Sequence, residues 1–185
     1  MSVTKIRFHG RGGQGVVTAS RLVAEAALKE GKNVQSFPSF GAERKGAPIK
    51  AFTKISNEPI LNRSQIYDPD IVVVLDPTLL KVENVTEGLK ENGTLLVNIE
   101  KPPEQLKSEL KLNSARVATL DATKIAIETL GTAITNTPIL GALAKATGII
   151  SLDSIIEVTK EKFKQGLSEK NINAIKRAYE EVKIG

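Results

Sequence analysis

Residues 3–15 read Val3-Thr4-Lys5-Ile6-Arg7-Phe8-His9-Gly10-Arg11-Gly12-Gly13-Gln14-Gly15. Apolar and polar residues alternate as far as His9, the pattern of a half-buried strand, and a glycine cluster then turns the chain. From Gln14 to Leu28, the residues Val16, Val17, Ala19, Leu22, Val23, Ala26 and Ala27 recur at helical spacing, and Gly31 supplies the stop. Asn33 to Phe37 reads as a second strand. The opening of the chain is therefore a βαβ unit.

Working outward, residues 38–48 form a loop rich in Gly, Pro and charge. Ile49 to Ile55 alternates as a short strand, expected to pair antiparallel because no helix separates it from its neighbour. Ile71 to Leu75 is an unbroken apolar run, expected of a central strand covered on both faces. Asp76-Pro77 follows as a helix cap and first helical residue. Thr94 to Ile99 and Ala115 to Leu120 are further strands, with a helix around Pro103–Leu110 between them. Asp121 opens another helix that ends at Gly131. Asn136 to Ala146, Ser151 to Lys164 and Ser168 to Val182 then read as consecutive helices separated by Gly148 and Gly166. The expected fold is α/β: a doubly wound, mostly parallel, Rossmann-like sheet in residues 1–131 with a helical C-terminal extension in 132–185, all within a single domain spanning 1–185.

Composition narrows the chemistry. The 185 residues contain no Cys and a single His, so this chain alone carries no disulfide, thiolate zinc site, iron–sulfur cluster or multi-histidine metal site. No apolar run approaches the ~20 residues that span a bilayer, and the expected location is the cytoplasm. Abundant Lys and Glu beside little Asp lean toward a thermophilic source. Residues 1–65 hold 11 Lys+Arg against 4 Asp+Glu, a balance of +7, whereas the remainder holds 15 against 17, or −2. The basic field lies wholly in the first third and attracts anions. Only seven aromatic residues are present, without basic–aromatic interleaving, which argues against nucleic acid as the partner.

Gly10 to Gly15 satisfies G-x-G-x-x-G after a strand and before a helix. Glycines admit positive φ and close backbone approach, and the N–H groups at the helix start attract an anion. Arg11 adds a prospective charge-assisted phosphate contact. A nicotinamide cofactor needs an acid at the end of the second strand, and Gln35-Ser36-Phe37-Pro38 supplies none. Some other phosphate-bearing ligand, a protein partner, or plain strand-to-helix packing remain as roles for the turn.

Together with this turn, three further motifs point to a family: Ser39-Phe40-Gly41-Ala42-Glu43-Arg44-Lys45-Gly46-Ala47-Pro48, Asp76-Pro77 after a valine-rich strand, and Asn136-Thr137-Pro138-Ile139-Leu140-Gly141-Ala142. In that order the chain resembles the gamma subunit of 2-oxoacid:ferredoxin oxidoreductases, the pyruvate synthase group. Lys45 departs from the second arginine or glycine of many relatives, keeping charge but not bidentate anion recognition.

The resemblance implies a multi-subunit enzyme that converts 2-oxoacid, coenzyme A and oxidised ferredoxin to acyl-CoA, CO2 and reduced ferredoxin. It implies alpha and beta subunits holding thiamine diphosphate and Mg, a ferredoxin-like delta subunit, and iron–sulfur clusters in other chains. This chain is then expected to bind no cofactor alone, to be inactive in isolation, and to help hold coenzyme A at Gly10, Arg11, Gly12, Gly13, Gln14 and Gly15. Ser39, Glu43, Arg44, Lys45, Asn136 and Thr137 are the expected partner or ligand contacts, and no residue is expected to be catalytic. The alternative is a stand-alone Rossmann-type nucleotide-binding oxidoreductase. His9 reads as a packing or hydrogen-bonding residue, and Asp76 and Asp121 as helix caps.

Overall fold

A computed structural model describes residues 3–39 and 45–185. Seven strands form one mixed sheet in the order β2-β3-β1-β4-β5-β6-β7. The parallel centre is β1 (Thr4–Arg11), β4 (Ile71–Val74), β5 (Thr94–Asn98) and β6 (Arg116–Leu120). β3 (Pro48–Ser56) pairs antiparallel with both β1 and β2 (Asn33–Pro38), so β2 runs in the direction of β1 but one strand removed from it. β7 (Lys183–Ile184) closes the far edge antiparallel to β6.

The antiparallel pairing of β3 with β2 is as read from the missing helix. Its insertion between β2 and β1 is not a local property: β3 covers β1 from Thr4 opposite Ile55 to Arg11 opposite Pro48. β7 is two residues long, too short to show a period.

Alternation along the strands sorts two cores. Ile6, Phe8, Ile71, Val73, Leu96 and Ala118 face α1 (Val16–Lys29), α4 (Pro138–Thr147) and α6 (Gln165–Glu181). Val72, Val74, Leu95, Val97 and Val117 face the other way, onto the 3₁₀ helix Pro77–Lys81 and α2 (Pro103–Glu109). The helices after Gly131 thus share the larger core: Ile139, Leu140 and Leu143 of α4 are fully buried, and α5 (Leu152–Lys162) and α6 pack around them. α3 (Ala122–Leu130) is capped by Asp121, whose carboxylate accepts the Lys124 N–H at 2.9 Å, the capping role read for it.

The α4–α6 crossing depends on Gly141. A Cβ there would lie 2.0 Å from the Ile175 carbonyl oxygen, a backbone atom that cannot swing aside. Gly141→Ala is expected to cost about 2–4 kcal/mol by forcing the helices apart. Gly166→Ala, in open space at the start of α6, is expected to be neutral or stabilising by up to ~1 kcal/mol. Urea midpoints of the two variants test this, and equal midpoints would contradict the close crossing.

Candidate functional site

The turn after β1 is bound to its surroundings by side chains at its ends. Gln14 folds back so that its Oε1 accepts the Arg11 N–H at 2.7 Å while its Nε2 donates to Asp76 Oδ2 at 2.8 Å. Arg11 Nε lies 3.2 Å from the same oxygen, and its guanidinium also donates to the Thr78 hydroxyl and the Gly46 carbonyl. Asp76 Oδ1 accepts both the Thr78 N–H and the Thr78 hydroxyl, capping the 3₁₀ helix as the sequence indicated. Burial pushes the Asp76 carboxyl upward, but the Thr78 hydroxyl, the Gln14 amide, the Thr78 N–H and the Arg11 charge outweigh it and hold the pKa below the ordinary value.

The backbone completes the site. Gly12 exchanges hydrogen bonds with the residues just before β3, donating to the Ala47 carbonyl and accepting the Gly46 N–H. Gly15 ends the turn at φ +77° and precedes α1 with no side-chain cap and no acidic residue in the first helical turn. The first N–H groups of α1 have no intrahelical acceptor and carry the positive end of the helix dipole. They open on a pocket of about 500 Å³ lined by Gly12, Gly13, Gly15, Val16, Val17, Thr18, Lys45 and Ile49. The arrangement suits a phosphate-sized anion: backbone donors, a nearby ammonium and no carboxylate among the described lining residues.

The expected site residues divide. Gly12, Gly13, Gly15 and Lys45 meet at the pocket. Asn136 packs against Gly15, where an added Cβ would lie 2.6 Å from its Nδ2, but is not among the described lining residues of the pocket. Arg11 and Gln14 serve the turn instead, their polar groups committed to Asp76, Thr78 and backbone. Thr137 is fully buried and donates to Asn171 Oδ1 at 2.5 Å, an interior contact between the start of α4 and α6. Ser39 extends the β2–β3 pairing through its N–H to the Lys50 carbonyl. Glu43 and Arg44 lie outside the described residues.

Sequence reasoning missed the polar cluster behind the turn. Arg7 and His9 alternate with Ile6 and Phe8 on β1, which reads as a solvent face, yet they are 6% and 1% exposed. Arg7 donates to His9 Nε2 at 3.0 Å and to the carbonyls of Val85 and Glu87. His9 Nδ1 lies 3.3 Å from Glu83 Oε2. Burial, Arg7 and Lys50 push the His9 pKa down to about 3, so the ring is neutral, with Nδ1–H donating to Glu83 and Nε2 accepting from Arg7. This is the hydrogen-bonding histidine the sequence indicated. No group of three or more potential metal ligands occurs among the described residues.

Comparison with known proteins gives a consistent picture. The pyruvate ferredoxin/flavodoxin oxidoreductase family profile matches residues 5–181. The common gamma subunit of the pyruvate/ketoisovalerate oxidoreductases of Pyrococcus furiosus is 54% identical over 180 residues, covering 97% of each chain. Pyruvate synthase subunit PorC of Methanothermobacter marburgensis is 49% identical over 179 residues, again covering 97% of each. The crystal structure of pyruvate oxidoreductase subunit PORC from Thermotoga maritima superposes with a TM-score of 0.89 at 41% identity, covering 100% of this chain and 99% of that one. Such thermophilic relatives accord with the Lys- and Glu-rich composition.

The neutral His9 sets a pH dependence. On unfolding, the imidazole regains its ordinary pKa of 6.5, so below that pH the unfolded chain binds a proton that the folded chain refuses until about pH 3. His9's contribution is complete above pH 6.5 and is lost as pH falls, by about 2 kcal/mol between pH 6.5 and 5 at ~1.36 kcal/mol per unit. Chemical denaturation across that window is expected to show this slope in the native chain and not in His9→Gln. Equal slopes would contradict a neutral buried ring.

Proposed function

The chain belongs to the pyruvate ferredoxin/flavodoxin oxidoreductase family, as the gamma subunit of a pyruvate or related 2-oxoacid ferredoxin oxidoreductase, and from that premise we propose that its glycine turn holds the diphosphate of coenzyme A. The observation that carries this reading is the uncapped start of α1 opening, with Lys45 beside it, on a pocket of about 500 Å³. A diphosphate seated there accepts N–H donors from the first turn of α1 and gains the Lys45 charge. Asn136 packs against Gly15 of the turn, and the Arg11–Gln14–Asp76–Thr78 network keeps the turn open without touching the ligand.

In this reading the redox chemistry belongs to other chains: thiamine diphosphate and Mg between alpha and beta subunits, iron–sulfur clusters in a ferredoxin-like delta subunit and elsewhere, and ferredoxin as the external acceptor. The absence of Cys and the single, buried, neutral His support that division of labour. The assembly is placed in the cytoplasm as part of this reading; among the described residues, no helix is long and apolar enough to cross a membrane. This chain orients the carrier so that its thiol reaches an acyl group formed on another subunit. No observation favours the stand-alone nucleotide-binding enzyme: β2 ends without an acid, and Arg11, Gln14 and Asp76 fill the crevice between the ends of β1 and β4 where such a cofactor would lie.

Steady-state kinetics of the assembled complex test the assignment. Lys45→Ala is expected to raise the KM for coenzyme A about tenfold, the loss of one charge-assisted contact, and to leave the KM for the 2-oxoacid unchanged. An unchanged KM for coenzyme A would contradict it. The purified chain alone is expected to turn over no 2-oxoacid, and activity without other subunits would refute the division of labour.

A further inference from the structure

β2 is an edge strand, and among the described residues no strand pairs with its outer side. The Ser39 N–H donates to the Lys50 carbonyl, so the alternation of an antiparallel ladder turns Asn33, Gln35 and Phe37 toward β3 and leaves the backbone of Val34 and Ser36 facing outward. Those outward N–H groups donate to no described residue. The usual protections of a free edge are absent from Asn33–Pro38: no lysine or other charge interrupts it, and its only proline ends it.

A groove of about 480 Å³ runs along this edge, lined by Val34, Gln35, Ser36, Phe37 and Arg63. Side chains alternate across a sheet, so a space touching four consecutive strand residues follows the edge rather than either face. The loop carrying Arg63 is held beside β2 by Gln35 Nε2, which donates to the Ile60 carbonyl, and by Lys54 Nζ, which donates to the Asn62 carbonyl. On that loop Leu61 is 93% exposed, an apolar anchor next to the Arg63 charge.

We propose that this edge receives an extended, acidic segment of another subunit of the oxidoreductase, which adds a strand beside β2, places a carboxylate on Arg63 and packs on Leu61. The proposal rests on the gamma-subunit reading. The outward N–H and C=O groups supply main-chain pairing, and Arg63 and Leu61 supply selectivity. Charge selects the occupant: Arg63 lines the groove and Asn33–Pro38 carries no acidic residue, so pairing β2 with β2 of a second copy would bring like charges together, whereas an acidic strand is attracted.

Amide hydrogen exchange tests the proposal. The Val34 and Ser36 amides are to be compared in the full chain alone and in the native complex purified through a tag on this chain, with the inward Gln35 and Phe37 amides as internal reference. The expected result is fast exchange at Val34 and Ser36 in the chain alone and at least 100-fold slowing in the complex. Arg63→Glu, an exposed substitution expected to leave the melting midpoint unchanged, is expected to weaken association at least tenfold at low salt. Fast exchange at both amides within a complex that contains the other subunits overturns the strand addition alone. Failure of any other subunit to copurify overturns the gamma-subunit reading instead. Protection already present in a dimer of the isolated chain, or undiminished assembly of Arg63→Glu, also overturns the proposal, the first in favour of a second copy and the second against an acidic occupant.

Discussion

The carboxylate of Asp76 stands at the end of β4, beside the turn that leaves β1, and both of its oxygens are committed. Oδ1 holds the Thr78 N–H and hydroxyl; Oδ2 holds Gln14 and Arg11. β1 and β4 are parallel neighbours from which the chain departs in opposite directions, and an open α/β sheet has its natural ligand crevice at such a point. Here that crevice is filled by the protein's own charge pair. The glycine turn is held by its flanks, and the start of α1 faces the Lys45 side. A single half-buried carboxylate therefore occupies the place where a dinucleotide would lie across the sheet and, in the proposed reading, leaves a short cradle for an anion at the edge of the turn.

The fate of the basic residues follows from the same geometry. Of the positive excess in residues 1–65, Arg7 is spent inside the protein on carbonyls and His9, Lys5 on Asp68, and Arg11 on Asp76. Among the described residues no helix covers the face of β1 and β3 opposite α1, and Arg7 and His9 bind the loops there at Ile66, Val85, Glu87 and Glu83. Lys45 and Arg63 stand at two open features of the N-terminal half, the pocket at the turn and the groove along β2. Net charge read from the sequence overstates the field available to a ligand, because much of it is neutralised by partners distant in the chain.

The local signals were legible and the distant ones were not. The strand–glycine–helix transition, the caps at Asp76 and Asp121, and the positive-φ stops at Gly31, Gly131 and Gly148 depend on residues within a turn of one another, and each stands where the sequence indicated. The insertion of β3 between β1 and β2 joins residues about fifty positions apart, and nothing in either strand's alternation specifies it. Arg11 looked like a phosphate ligand because its partners, Thr78 and Asp76, lie more than sixty residues on. Thr137 looked like a ligand contact because its motif is recognisable, while its burial against Asn171 depends on how α6 returns to α4. Asn136 and Lys45, by contrast, were singled out from motif membership and do border the turn.

In the proposed reading the glycine turn and the first turn of α1 seat the diphosphate of coenzyme A. A structure of the assembled oxidoreductase with coenzyme A bound tests it most directly. The diphosphate is expected within hydrogen-bond distance of the N–H groups at the start of α1, with the Lys45 ammonium beside it. A diphosphate bound entirely by another subunit, with this pocket facing solvent or partner backbone, would contradict it.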